Sequence, residues 1–238
     1  MKTIRKLIKS FLILFPGGKF FIFWWQGVRR SIDIKIRRHR LQKHGKEILS
    51  RVFYALADNP RIAYHADYGT LLGLVREKGF IKHDDDIDFS VYSGTISPKD
   101  LCDSIIGAGF KFLRGFRYDG VVTELAFIYK KVSVDFFYVF PTESDGYSQV
   151  YNDFRSDEDG DRAYFAERLT KPRLADVIEV DFRGVKVKIP ANSEDFLRYS
   201  YGKGWAVPVK NWKRDDGDIG KRMVLEGTAE IFYHMDNI

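Results

Sequence analysis

A short run of acidic residues is the feature of this 238-residue chain best suited to chemistry. Four aspartates lie within five positions, in the segment HDDDIDF. Side chains of a β-strand alternate between its two faces, so Asp84, Asp86 and Asp88 are predicted to share one face. The opposite face includes isoleucine and phenylalanine and is expected to be buried. Because crowded carboxylates repel one another, such a row predicts a bound cation.

A second acid stands alone in an apolar strand. Asp135 lies in the segment Val132–Val139, where every close neighbour except Ser133 is apolar. A carboxylate is costly to bury unless it is paired or bound to a metal. Its predicted partner is the cation of the first strand or the hydroxyl of an incoming nucleophile, and the alternative is a hydrogen-bonded core aspartate. Oxygen-only ligation with a phosphorylated substrate favours Mg²⁺ or Mn²⁺.

A candidate substrate-binding segment precedes the acidic run. Gly69 and Thr70 are predicted to form a turn that opens a short helix over Leu71–Lys78. Backbone N–H groups at the start of a helix bind phosphate, and the Thr70 hydroxyl can add one more hydrogen bond. Arg76 is a candidate clamp for a phosphate or carboxylate. Together with Asp84, these residues form the predicted substrate-binding set.

The elements that must position these residues alternate between helix and strand and later become mostly strand. The body is predicted to begin near residue 59, and residues 142–163 are predicted to form an acidic loop. This order is typical of a mixed α/β (α+β) sheet domain. The predicted strands are Arg61–Asp67, Phe80–Tyr92, Val121–Tyr129, Val132–Phe140, Val177–Asp181 and Val185–Ile189, and the predicted helices are Pro98–Gly107 and a segment capped by Asn192. Val121–Tyr129 and Val132–Phe140 are predicted to be adjacent with a turn at Lys130 and Lys131, and the last two strands are predicted to form a hairpin.

The charge of the chain is divided unevenly. The formal net charge is +6, but residues 1–51 alone carry +12 and the remainder carries −6. This division argues against a chain that binds nucleic acid over its whole surface and favours a local basic attachment segment. The single cysteine, Cys102, excludes an internal disulfide framework and a cysteine-based zinc site.

The basic segment is predicted to lie on an anionic membrane surface. Residues 11–28 are apolar but are interrupted by Pro16 and Lys19, and a spanning helix needs about 20 apolar residues. Tryptophans and flanking basic residues within residues 1–30 fit an interfacial, non-spanning segment. The alternative is an amphipathic helix packed on its own domain or on a partner subunit.

The chain is therefore divided into a basic extension, residues 1–58, and a catalytic body, residues 59–238. Residues 29–58 show a helical pattern with a basic exposed side and a possible break at Gly45. The basic cluster 37–44 is predicted to face solvent or lipid headgroups, because no stacking aromatic that would favour nucleic acid is interleaved with it.

The sequence resembles the LicD/fukutin family of phosphotransferases, within the nucleotidyltransferase fold superfamily. The similarity lies in the segments YGTLLGLVREKGFIKHDDDIDF, VDFFYVFP and PANSEDFLRYSYGKGW, and it covers roughly residues 60–212. It implies a nucleotidyltransferase-like mixed sheet flanked by helices, with the basic helical extension outside the match. The site residues that it implies are Gly69 and Thr70 in a phosphate-binding turn, Asp86 and Asp88 as a metal-binding pair, Asp135 as a third acid, and Arg76 of the same block.

Two departures from the family pattern affect the predicted pocket. His83 stands where the family often has tryptophan, so the pocket wall is expected to differ. The family motif Tyr-Gly-x-Trp is also longer here, because Lys203 and Gly204 separate Gly202 from Trp205.

The chemistry implied by the resemblance is transfer of a phosphorylated alcohol, phosphocholine-like or polyol-phosphate-like, from a CDP-linked donor. The acceptor would be a hydroxyl of a glycan or lipid-linked glycan in cell-surface polysaccharide synthesis, and the products would be a phosphodiester and CMP. Together with the basic extension, this predicts a peripheral enzyme on the cytoplasmic face of a bacterial cell membrane.

Two alternative functions fit parts of the sequence. An Asp-x-Asp motif also occurs in nucleotide-sugar glycosyltransferases, although the upstream Gly-Thr block favours phosphate transfer. A non-enzymatic membrane or nucleic-acid adaptor built on the basic segment is the second alternative. That adaptor would keep its function after Asp86→Asn or Asp88→Asn, whereas a metal-dependent enzyme would not.

Overall fold

The computed structural model describes residues 18–142, 147–156, 162–210 and 222–238. Its helices are α1 (Gly18–Ala57), α2 (Tyr68–Leu72), α3 (Pro98–Gly107) and α4 (Ser193–Tyr201), with a π-helical turn at Gly73–Glu77 and a 3₁₀ turn at Met235–Asn237. Its strands are β1 (Tyr64–Ala66), β2 (Asp86–Tyr92), β3 (Lys111–Tyr118), β4 (Val121–Tyr129), β5 (Val132–Pro141), β6 (Tyr147–Ser156), β7 (Arg162–Lys171), β8 (Val177–Phe182), β9 (Val185–Pro190), β10 (Arg222–Thr228) and β11 (Glu230–Phe232).

A mixed sheet forms the centre of the described structure, which confirms the predicted fold class. The order β10-β7-β6-β5-β4-β3-β11 runs along the sheet, and the β1–β2 pair joins it through β5. β2 lies parallel to β5, whereas the other described strand pairs are antiparallel. β8 and β9 form a separate hairpin, as predicted. The parallel β2–β5 pair is the part that matters for the site, because it places the two acidic segments side by side.

Helix α1 packs its C-terminal half into the core of the body. Its buried residues recur at helical spacing, so one stripe of the helix is apolar. The stripe consists of Leu41, Ile48, Leu49, Val52 and Leu56, all of which belong to the main hydrophobic core. The helix ends at Ala57 and begins at Gly18, so residues 1–17 of the predicted membrane segment lie outside the described residues. In the described stretches, no helix is long and apolar enough to cross a bilayer.

The possible break of this helix at Gly45 is wrong, because α1 continues through it. A Cβ at this position would overlap the ring of Phe80. Gly45 therefore allows the helix to approach the segment that leads into the acidic run, and does not serve as a helix stop.

The helical segment that carries Gly69 and Thr70 and the acidic strand β2 both begin at positions that differ from the predicted ones. The helical segment starts at Tyr68, after Asp67, whose side chain accepts a hydrogen bond from the Tyr68 N–H group. It ends at Glu77, and the following residue, Lys78, adopts a left-handed conformation with φ of 49°. The strand begins at Asp86 and not at Phe80, because the residues between form turns and irregular backbone.

The prediction of an acidic loop over residues 142–163 is wrong for most of its length. Residues 147–156 form β6, which pairs along its whole length with β7. The acidic residues of this segment concealed a pattern of aromatic and polar residues that suits a strand. Residues 157–161 of the predicted loop lie outside the described residues. The predicted β4–β5 hairpin is confirmed, with Lys130 and Lys131 at positive φ in its turn.

Candidate active site

Three aspartates converge at the start of the parallel strand pair. Asp86 and Asp88 are the first and third residues of β2, so they project from the same face. Asp135 lies on β5, directly opposite Asp88 in the register. One carboxylate oxygen from each of the three residues lies within 4.8 Å of the other two. This spacing is compatible with one divalent cation after small side-chain rotations, since Mg²⁺–oxygen bonds are about 2.0–2.1 Å long.

The electrostatics of this cluster favour a cation. Burial, followed by repulsion from Asp84 and Asp135, raises the pKa of Asp86 to about 8. Burial and the neighbouring carboxylates also raise the pKa of Asp88 well above its usual range. Burial and the charge of Asp85 raise the pKa of Asp84 to about 6. Without a cation the cluster therefore holds protons at neutral pH, and a divalent cation would replace them.

Asp135 has a defined set of polar neighbours. The Ser133 hydroxyl donates a hydrogen bond of 2.8 Å to its Oδ1, and Arg114 Nη2 lies 3.7 Å from its Oδ2. Burial raises the pKa of Asp135, and Arg114 partly opposes that shift. Arg114 also forms a 3.0 Å ion pair with the buried Glu124. One oxygen of Asp135 is thus held by Ser133, while the other lies near the guanidinium group of Arg114.

The predicted phosphate-binding residues lie beside the acidic cluster. Gly69 and Thr70 are in the first turn of α2, and a Cβ at Gly69 would overlap the carboxylate of Asp84. The Thr70 hydroxyl oxygen accepts a 2.9 Å hydrogen bond from the backbone N–H of Asp88. The helix start is therefore tied directly to the strand that carries Asp86 and Asp88. Phosphate binding by these two residues stays a prediction.

Arg76 lies farther along the same helical segment and is held in place by protein groups. Its Nη1 donates a 3.0 Å hydrogen bond to the backbone carbonyl of Trp205, and its Nε donates to Glu77. Arg76 thus connects the helix to the lengthened loop that follows Gly202. Its predicted role as a phosphate clamp is not tested by this arrangement.

Comparison with known sequences identifies the family. The profile described as LicD/FKTN/FKRP, nucleotidyltransferase domain, matches residues 61–192, which is more than half of the chain. The chain belongs to this family. The resemblance predicted from the motifs is therefore confirmed. All three converging aspartates, together with Gly69 and Thr70, lie inside the matched segment of this LicD-family chain.

Individual relatives cover part of the chain. Ribitol-5-phosphate transferase FKTN of Mus musculus is 27% identical over 173 residues, which is 72% of this chain and 35% of the relative. FKTN of Macaca fascicularis is 24% identical over 182 residues, with 76% and 37% covered. An uncharacterized protein of Rickettsia prowazekii (strain Madrid E) is 33% identical over 98 residues, with 37% and 36% covered. The LicD-family chain thus spans about a third of the length of the curated relatives it matches.

Sequence reasoning missed two acids of this LicD-family site. Glu124 is buried on β4, and burial together with Asp135 raises its pKa to about 7. A lone acid in an apolar strand was the signal that identified Asp135, and the same signal was present in Val121–Tyr129. Asp67 caps α2 and forms a fully buried ion pair with Lys171 of β7 at 2.7 Å. No local sequence signal joins residues that are 104 positions apart.

The observed surroundings of the Arg37 side chain differ from the predicted ones. It was expected to face solvent or lipid headgroups as part of the basic cluster. The structure places its Nη2 2.9 Å from Asp85 Oδ2, beside the acidic run. The basic extension of this LicD-family chain therefore contacts the body at the candidate site.

The stability of the metal-free chain is expected to fall as the pH rises from about 6.5 to 8.5. The pKa of Asp86 is raised to about 8 in the folded chain, whereas an unfolded aspartate titrates near 3.9. In this window the folded state binds more protons than the unfolded state, so the free energy of unfolding decreases as the pH rises.

Urea-unfolding midpoints in EDTA at the two pH values measure this fall. Asp86→Asn is expected to reduce the dependence on pH, because it removes the titrating group. Saturating Mg²⁺ is expected to remove most of the fall in the wild-type chain, because the cation stabilises the ionised carboxylates. A midpoint that rises with pH in EDTA would contradict the proposed electrostatics of the cluster.

Proposed function

We propose that this protein is a metal-dependent phosphotransferase that moves a phosphorylated alcohol from a CDP-linked donor to a glycan hydroxyl. The convergence of Asp86, Asp88 and Asp135 carries this proposal, because it supplies a three-carboxylate site in a family that includes a ribitol-5-phosphate transferase. The relative's name favours a polyol phosphate as the transferred group, and a phosphocholine-like group is the second candidate.

The donor atoms present fit Mg²⁺ or Mn²⁺. The three ligands are carboxylates, and hard divalent cations prefer oxygen. A bound cation would supply positive charge to the diphosphate and to the leaving CMP. Asp86 and Asp88 would hold that cation from β2. Thr70 would keep Asp88 in place, because its hydroxyl oxygen accepts a hydrogen bond from the backbone N–H of Asp88.

Asp135 has two possible tasks in this reaction. It would either complete the cation site or accept the proton of the acceptor hydroxyl. The Ser133 hydroxyl holds Oδ1 of Asp135, which leaves Oδ2 for either task.

We place the enzyme at the cytoplasmic face of a bacterial membrane, where lipid-linked glycan acceptors are exposed. The support is the basic and aromatic composition of residues 1–30. Flotation of the full chain with phosphatidylglycerol vesicles, but not with phosphatidylcholine vesicles, is the expected result. Equal recovery with both vesicles would contradict this location.

Release of CMP from candidate donors tests the proposed reaction. The full chain is incubated with CDP-ribitol, CDP-glycerol or CDP-choline and a bacterial glycolipid extract, with Mg²⁺ or with EDTA. Mg²⁺-dependent release of CMP that requires the extract, together with a phosphodiester product, is the expected result. Transfer of sugar from UDP-sugars without any CMP release would identify a glycosyltransferase and contradict the proposal.

A further inference from the structure

The side of α1 that faces the body changes from apolar to basic at the level of the acidic run. Leu41 is completely buried in the core, and one turn earlier Arg37 and Arg38 are half-buried. Gln42 fixes this part of the helix, because its Nε2 donates a 3.2 Å hydrogen bond to the backbone carbonyl of Ile81. The two arginines are therefore held against the segment that leads into the aspartates.

Both arginines act electrostatically on the predicted site residues. Arg37 pairs with Asp85 and lowers the pKa values of Asp86 and Asp135 against the effect of burial. Arg38 lowers the pKa of Asp84 in the same way. Two positive charges from α1 thus lie beside the carboxylates. Neither arginine lies in the family-matched segment, which begins at residue 61.

The guanidinium groups also have hydrogen-bonding capacity to spare. The Nε atoms of Arg37 and Arg38 are buried, and neither finds a hydrogen-bond acceptor among the residues that the structure describes. A guanidinium carries five N–H donors in a planar fork that matches the oxygens of a phosphate. Arg37 reaches Asp85 through one terminal nitrogen, Nη2.

We propose that Arg37 and Arg38 form one wall of the donor site and bind the phosphate oxygens of the CDP-linked donor. This inference rests on the proposed function and names residues that bind its donor. Half-buried arginines beside a carboxylate cluster fit a metal–diphosphate complex, because the carboxylates attract the cation while the arginines attract the phosphates. The basic extension therefore contributes to the substrate site as well as to the charge of the chain.

Calorimetric titration of the full chain with Mg²⁺-pyrophosphate tests this inference. Arg37→Gln and Arg38→Gln are each expected to weaken pyrophosphate binding by about tenfold or more, since each change removes a charge-assisted hydrogen bond to a phosphate oxygen. Arg37→Lys is expected to restore part of the affinity, because it keeps the charge but loses the fork. Lys35→Gln is the matched control, because Lys35 is an exposed cation on the same helix.

A titration with Mn²⁺ alone separates phosphate binding from metal binding. Mn²⁺ affinity is expected to stay the same or increase in the two glutamine variants, because a cation near the carboxylates has been removed. If both variants bind Mg²⁺-pyrophosphate within twofold of the wild type, the inference is wrong and the proposed function stands. If the wild-type chain binds neither Mn²⁺ nor Mg²⁺-pyrophosphate, the proposed function fails and the inference fails with it.

Discussion

Replacing Asp88 by asparagine is expected to reduce Mg²⁺-dependent CMP release by about a thousandfold or more. The side chain clusters with those of Asp86 and Asp135, so its loss removes one of three predicted cation ligands. Stabilisation of transferring charge by a metal is worth several kcal/mol, and about 4 kcal/mol corresponds to a thousandfold in rate. Initial rates at saturating donor and Mg²⁺ measure the effect.

The same substitution is expected to leave the fold intact and to stabilise the metal-free chain. Burial and the neighbouring carboxylates raise the pKa of Asp88, so the folded metal-free chain must bind a proton there that an asparagine does not need. Thermal unfolding should therefore show a higher midpoint in EDTA and a smaller shift on adding Mg²⁺. Asp103→Asn is the matched control, because Asp103 is an exposed aspartate on α3. A rate within tenfold of the wild type would reject Asp88 as a cation ligand.

The alternation of side chains on a strand was sufficient to predict that Asp86 and Asp88 share a face. It was not sufficient for Asp84, because the strand begins only at Asp86 and the backbone before it is irregular. Asp84 still lies beside the cluster, but a turn and its contact with the Gly69 position place it there. Side chains alternate regularly between two faces only where backbone hydrogen bonds hold the segment in a sheet.

The pairing of β2 with β5 required more than local patterns. The spacing of apolar residues predicted both strands, and the family resemblance implied that their acids meet. The parallel register that sets Asp88 opposite Asp135 depends on the connection between the strands and on the shared core. The positions of Arg37 and Arg38 show the same limit, because a helical pattern gives the spacing of side chains but not what the helix packs against.

The buried pair of Lys171 and Asp67 is expected to be the most costly polar contact to break. Replacing Lys171 by methionine leaves Asp67 charged in a site where both side chains are 1% exposed. Burial alone would raise the pKa of Asp67, but Lys171, His65 and Ser90 together lower it, so the carboxylate is ionised at neutral pH. Removing one partner of a buried pair typically destabilises by about 3–5 kcal/mol.

Urea unfolding at neutral pH measures this cost, with Lys186→Met as the control. Lys186 forms an exposed ion pair with Glu179, and such pairs contribute about 1 kcal/mol or less. The double change Lys171→Met with Asp67→Asn is expected to recover part of the stability, because it removes the uncompensated charge. A single-variant loss below about 1 kcal/mol would show that the pair does not stabilise the fold.

The Lys171→Met change is also expected to affect the site. Asp67 caps α2, the helix that carries Gly69 and Thr70, and Thr70 in turn holds the backbone of Asp88. Loosening the cap should therefore weaken Mn²⁺ binding even under conditions where the variant is fully folded. If Mn²⁺ affinity is unchanged in the folded variant, the ion pair contributes to stability alone and the site is positioned by the β2–β5 register.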